Sequence, residues 1–202
     1  MTFQEIKKIL KKKTVGIAGA GGLGSNCAVA LARVGVGKII IADFDRITRK
    51  NLNRQYYFYE QVGQKKVFAI EDNILFINPK VKVEAHDTRL NPKKIKCIYK
   101  HCDIIVEAFD QAEMKQMIIE TVQSDMPNIP LIIGSGMAGW GNNNSIKTRQ
   151  IDNLYICGDE QSEIADDLPP LAPRVGIVAH MQANMALEIL LKNQRNNENN
   201  TQ

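Results

Sequence analysis

The residues most able to do chemistry stand in two groups. The first is Gly19-Ala20-Gly21-Gly22-Leu23-Gly24, a GxGxxG spacing, followed by Asp43. Glycine is needed where a backbone must turn tightly and approach a phosphate, and a helix starting there offers unpaired N–H groups and the positive end of its dipole. A carboxylate ending the next strand suits ribose hydroxyls. This group points to a nucleotide without saying which. The second group is DFDRITRKNLNRQ, residues 43–55, with Lys65 and Lys66 close behind. A dehydrogenase binding one pyrophosphate has no obvious use for Arg46, Arg49, Lys50, Arg54, Lys65 and Lys66 grouped just after that strand. A triphosphate does, because cations aimed at its phosphates stabilise charge as pyrophosphate departs. Taken singly, each of these cations is an ordinary solvated loop charge.

Regular elements must hold both groups in place. Val15 to Gly19 is a short apolar run ending in glycine, a helical stretch fits Gly22 to Val34, and Lys38 to Asp43 is a strand rich in β-branched residues. Further helices are expected over Glu60–Ile77, 92–100 and 111–124, and further strands over 81–85, 103–109 and 131–134. Residues 145–157 hold one or two late strands. An acidic, solvated crossover loop is expected over 159–172, and an apolar final helix from Pro173 to Lys192. Strands alternating with helices imply an α/β fold, a doubly wound, Rossmann-like, mostly parallel sheet with helices on both faces. One domain is expected over 1–192, with a disordered polar tail over 193–202.

Taken in order, GAGGLG, then DFDRITRKNLNRQ, then VGQKK at 62–66, then Asp110 at a strand end, then APRVGIVAHMQANMALEILL at 172–191, the chain resembles the adenylating enzymes of the ThiF, MoeB and HesA type, relatives of the ubiquitin-activating enzymes. The resemblance implies ATP-dependent adenylation of the C-terminal glycine carboxylate of a small ubiquitin-like sulfur carrier ending in Gly-Gly, ThiS-like and serving thiazole formation in thiamine synthesis. It implies that Asp43 holds the ribose and that Gly21 and Gly22 let the backbone approach the nucleotide, beside Gly19 and Gly24 of the same loop. Asn51, Arg54 and Lys66 would contact the phosphates, and Asp110 would bind Mg²⁺. Asp45 and Gln55 take supporting places in the binding site. A homodimer is implied as well. The chain departs from the family pattern in having no R-Y-x-R-Q segment before Thr14 and no CxxC pairs, so structural zinc is not expected. Cys157 is the cysteine nearest the crossover where some relatives carry a reactive thiol; a buried structural thiol is the competing reading.

Composition bounds the rest. The 202 residues are 44% apolar and 24% charged with a net charge of +4, ordinary for one soluble domain. No apolar run suits a membrane span, and MTFQEIKKILKKK lacks the features of a signal peptide, so a cytoplasmic location without membrane contact is expected. Lysines 7, 8, 11, 12 and 13 alternate with apolar residues as on a short amphipathic helix, but no aromatic residues interleave with them, and no nucleic-acid partner is expected. Two other functional classes stay open at this point: an NAD(P)-dependent oxidoreductase, which would be indifferent to Arg54, and a non-catalytic scaffold that binds a carrier without activating it.

Overall fold

A computed structural model describes residues 1–199, with side chains described as far as Lys192. Seven strands form one sheet in the order β3-β2-β1-β4-β5-β7-β6, where β1 is Thr14–Ala18, β2 Lys38–Asp43, β3 Lys82–Asp87, β4 Ile104–Glu107, β5 Leu131–Gly134, β6 Lys147–Ile151 and β7 Leu154–Gly158. All neighbours are parallel except β6, which closes the edge as an antiparallel hairpin on β7. The central strands are apolar along most of their length because both faces of the sheet are covered. Successive side chains of β2 show it: Ile39 and Ile41 enter one core with α2 (Gly22–Val34) and α6 (Ala172–Asn199), while Ile40 and Ala42 enter the other with α4 (Pro92–Tyr99) and α5 (Ala112–Asp125).

The remaining helices complete the first face. The N-terminal helix α1 (Phe3–Leu10) is capped by Thr2 and buries Leu10, leaving Lys7, Lys8, Lys11 and Lys12 in solvent; Lys13 pairs with Asp103 at 2.9 Å. The helix expected over Glu60–Ile77 is shorter: α3 spans Lys66–Ile77. Residues 59–61 form a 3-10 turn, Gly63 bends back at φ +91°, and Arg46 and Lys65 form an isolated antiparallel bridge, so a helix cannot pass through. Helix α6 continues to Asn199, beyond the expected stop at Lys192. The tail expected from 193 onward is described in backbone only as far as Asn199, and 200–202 lie outside the described residues.

This topology creates the crevice that matters. The chain runs outward from β1 to β3, then returns to place β4 on the other side of β1. The loops leaving the C-terminal ends of β1 and β4 therefore diverge, and the crevice between them is where open α/β sheets bind ligands. No helix among the described residues is long and apolar enough to cross a membrane.

Candidate nucleotide site

A cleft of about 520 Å³ opens at that crevice, a size suited to a small ligand. Its floor is the glycine loop. Gly19 adopts φ +104°, and a Cβ there would lie 2.7 Å from the Ala108 carbonyl oxygen, so β1 and β4 can approach only with glycine at this position. Gly21 and Gly22 line the cleft, and a Cβ on Gly21 would meet nothing closer than 3.8 Å. Gly24 does a different job: a Cβ would sit 1.9 Å from the Gly19 oxygen, so this residue seats α2 on β1 and does not line the cleft. The Asp43 carboxylate accepts the Ala20 N–H at 2.7 Å and the Asp45 N–H at 2.8 Å, which ties the end of β2 to the loop. The Tyr57 hydroxyl, buried below, donates to the Ala20 oxygen at 2.7 Å.

The basic stretch splits into two uses. A 3-10 turn over Arg49–Asn53 carries Arg54 to the cleft wall. Asn51 holds that turn: its side-chain oxygen accepts the Thr48 N–H at 2.9 Å, and its carbonyl accepts the N–H groups of Arg54 and Gln55. The structure thus brings Arg54 and Gln55 to the cleft and leaves Asn51 outside its lining. Lys66 also lines the cleft; it is 5% exposed, and its Nζ meets Asp45 at 2.7 Å. Arg46 instead donates to the Gly63 oxygen, Lys65 pairs with Asp87, and Arg49 stacks on Tyr59. Gln55 is buried with its side-chain oxygen unpartnered in the protein, an acceptor available at the cleft wall.

The far wall begins where β4 ends. Asp110 lines the cleft with its side chain exposed. Beneath it is a pair that composition and spacing did not single out. Glu107, fully buried, accepts the Phe109 N–H at 2.6 Å and two hydrogen bonds from the Lys115 ammonium at 2.8 Å, while Lys115 makes a third to the Gly134 oxygen. Burial pushes the Glu107 carboxyl up, and Lys115 pulls against that shift. The available signal was a lone glutamate ending an otherwise apolar strand with a lysine one helical face later. The crossover is the second departure from expectation. Asp159 is not solvated: its side chain is 7% exposed and meets Arg174 of α6 at 2.6 Å, while Glu160 to Asp167 remain on the surface apart from half-buried Ser162.

Cysteine and metal chemistry are narrow here. Cys27, Cys102 and Cys157 are buried free thiols, and burial pushes Cys157 up to about 11 and Cys102 up to about 12. At neutral pH Cys157 is therefore a packed thiol of β7 and a poor nucleophile. Among the described residues, no three His, Cys, Asp or Glu side chains gather as a metal cage. A single carboxylate still suits Mg²⁺, which is commonly held by one or two carboxylates together with substrate phosphates and water.

Comparison with known proteins gives a family and a fold. The ThiF family pattern matches residues 2–202. The chain is 32% identical over 194 residues to the adenylyltransferase and sulfurtransferase MOCS3 of Caenorhabditis briggsae, covering 92% of this chain and 48% of that one. It thus spans about half the length of that relative. Among solved structures, the tRNA N6-threonylcarbamoyladenosine dehydratase TcdA of E. coli, in complex with AMP, superposes with a TM-score of 0.86 at 18% identity, covering 95% of this chain and 91% of that one. E. coli MccB with ATP gives 0.70 at 25% identity, covering 93% and 58%.

Proposed function

The chain belongs to the ThiF family, and from that premise we propose that it is an adenylyltransferase that uses ATP to activate the C-terminal carboxylate of a small ubiquitin-like carrier protein. The observation that carries this reading is the convergence of Arg54, Lys66 and Asp110 on a cleft floored by the glycine loop and Asp43. A dinucleotide's pyrophosphate asks for fewer cations than a triphosphate does, which favours ATP at this wall. In the proposed reaction a carboxylate oxygen of the carrier attacks the α-phosphorus of ATP. The new P–O bond forms as the bond from that phosphorus to its bridging oxygen breaks, and pyrophosphate leaves with the electron pair. The attacking carboxylate is ionised near neutral pH, so no general base is needed.

The chain's own groups then have separable jobs. Gly21 and Gly22 let the backbone come close to the phosphates at the start of α2, where N–H groups point outward. Asp43, already fixed by two backbone N–H groups, presents its remaining acceptor capacity to the ribose. Arg54 and Lys66 hold the triphosphate and the charge that builds up on pyrophosphate. Asp110 would hold Mg²⁺ with the substrate phosphates, and that ion, when bound, supplies charge neutralisation between two anionic reactants. Gln55 contributes its unpartnered acceptor, and Asn51 acts by holding the turn that carries Arg54.

The carrier is proposed to be ThiS-like, ending in Gly-Gly, on the resemblance of the chain's motifs to ThiF-type enzymes, and the working unit to be a homodimer. Carrier-dependent ATP–pyrophosphate exchange, run in parallel with a ThiS-like and a molybdopterin-type carrier, tests both levels. Exchange with the first alone supports the full reading. Exchange with the second alone keeps the adenylation and removes the thiamine assignment. Sedimentation at micromolar protein decides the homodimer.

A further inference from the structure

We propose that Asp159 and Arg174 are a positioning pair that builds the carrier-facing wall of the cleft and leaves the ATP-facing wall alone. The inference rests on the adenylation reading above. The cleft has two walls of different origin. One comes from the glycine loop, the end of β2 and the basic stretch. Beyond Asp110 at the end of β4, the other comes from the glycine-rich turn after β5, through Gly136 and Met137, and from Ser162, Glu163 and Ile164 of the crossover. With ATP seated on the first wall, the incoming carboxylate must reach the α-phosphorus past the second.

A partly buried side-chain network ties that second wall together, beside the backbone bonds from the Asp159 and Glu160 N–H groups to the Gly136 and Ser135 oxygens. Arg174, in the first turn of α6, donates to Asp159 at 2.6 Å, to the Ser145 hydroxyl at 3.3 Å and to the Gly141 oxygen. Asp159 spends its other oxygen on the N–H groups of Gln161 and Ser162, at 2.9 and 2.8 Å, and on the Ser162 hydroxyl at 3.0 Å. That hydroxyl accepts the Ala138 N–H at 3.2 Å, which joins the crossover back to the glycine turn. The fit is close: a Cβ on Gly136 would lie 1.9 Å from the Asp159 carboxylate. The ATP-facing residues are held by other bonds, Asp43 to Ala20, Arg54 to Asn51 and Lys66 to Asp45.

Stability alone does not account for the pair. A buried ion pair contributes little net stability compared with apolar residues of similar size. Here the Arg174 Nε–H is also buried without a partner, which is a cost in itself. What the pair supplies that apolar packing does not is direction: one guanidinium fixes three segments at once in set orientations. A wall misplaced by an ångström beside a reacting group slows the reaction of the substrate that uses it.

The test uses the full chain, ATP and a recombinant ThiS-like carrier ending in Gly-Gly. Asp159→Asn removes the charge, and Asp159→Asn/Arg174→Gln neutralises both partners so that no lone buried charge compromises folding. Ser162→Ala keeps the pair and removes its link to Ala138. The expected result is a KM for carrier raised about tenfold or more in the first two and by less in the third. KM for ATP stays within about twofold, and Glu-specific proteolysis at Glu160 and Glu163 becomes faster. Equal rises in both KM values, or a lower melting temperature with neither KM changed, overturns the inference. Absence of exchange with any carrier in the wild type defeats the proposed function separately. In that case calorimetric ATP affinity and proteolysis still decide: unchanged affinity with faster cleavage supports the pair's role, and lost affinity or unchanged cleavage ends it.

Discussion

Lys66 and Arg54 reach the same cleft in different states, and this sets what each substitution should do. Lys66 is buried and holds Asp45, whose carboxylate is 48% exposed, so removing the ammonium leaves behind a group that water can solvate. Lys66→Ala should therefore cost on the order of 10²-fold in exchange rate while the melting temperature stays near wild type, as calorimetry would show. Arg54→Lys keeps the charge but loses the planar fork, and roughly a tenfold fall in kcat is expected. Thiol chemistry offers an independent check on burial. At pH 8, iodoacetamide followed by mass spectrometry should label exposed Cys97 and spare Cys157, whose thiol is pushed up to about 11. Asp159 carries a pH prediction. Burial pushes its carboxyl up, but the Ser162 and Gln161 N–H groups, the Ser162 hydroxyl and Arg174 outweigh burial and hold it at about 2. A carboxyl lowered on folding contributes stability above its unfolded value of about 3.9 and loses it as pH falls toward the folded value. The crossover should accordingly stay protected from proteolysis at pH 5 and open between about pH 4 and 2. Much of the cleft was legible residue by residue, since Gly19, Gly21, Gly22, Asp43, Arg54, Lys66 and Asp110 all line it. Glu107–Lys115 and Asp159–Arg174 were not, because an ion pair joining separate elements leaves no local period in a sequence.

The elements were easiest to read where both faces are buried. Strands β1, β2, β4 and β5 are short apolar runs, and helix α2 begins at the glycine loop and ends at Gly35 in the left-handed region. Boundaries decided by tertiary contacts were harder. The apolar spacing that suggested a helix from Glu60 does not register Gly63 or the Arg46–Lys65 bridge, which delay α3 until Lys66. That delay places Lys66 in the first turn of α3, where it lines the cleft. Gly24 gives the element-scale prediction. In Gly24→Ala the new methyl meets the Gly19 carbonyl and must push α2 off β1. A loss of roughly 1–3 kcal/mol in denaturant unfolding is expected, together with weaker ATP binding, although residue 24 lines no part of the cleft.

At the scale of the whole molecule, the doubly wound order places the glycine loop, the basic turn and Asp110 at one end of the sheet, opposite the exposed lysines around α1. The fold could be read from the alternation of strands and helices, but it is shared by unrelated nucleotide chemistries. The cations beside the glycine loop are the feature on which the proposal of a triphosphate in place of a dinucleotide rests. The most direct test is ATP–pyrophosphate exchange dependent on a Gly-Gly carrier, measured for the wild type and for Arg54→Ala and Asp110→Ala. Exchange that needs the carrier and falls by on the order of 10²-fold or more in each variant is the predicted result. Exchange that survives both substitutions undiminished would contradict the assignment of this cleft as the adenylation site.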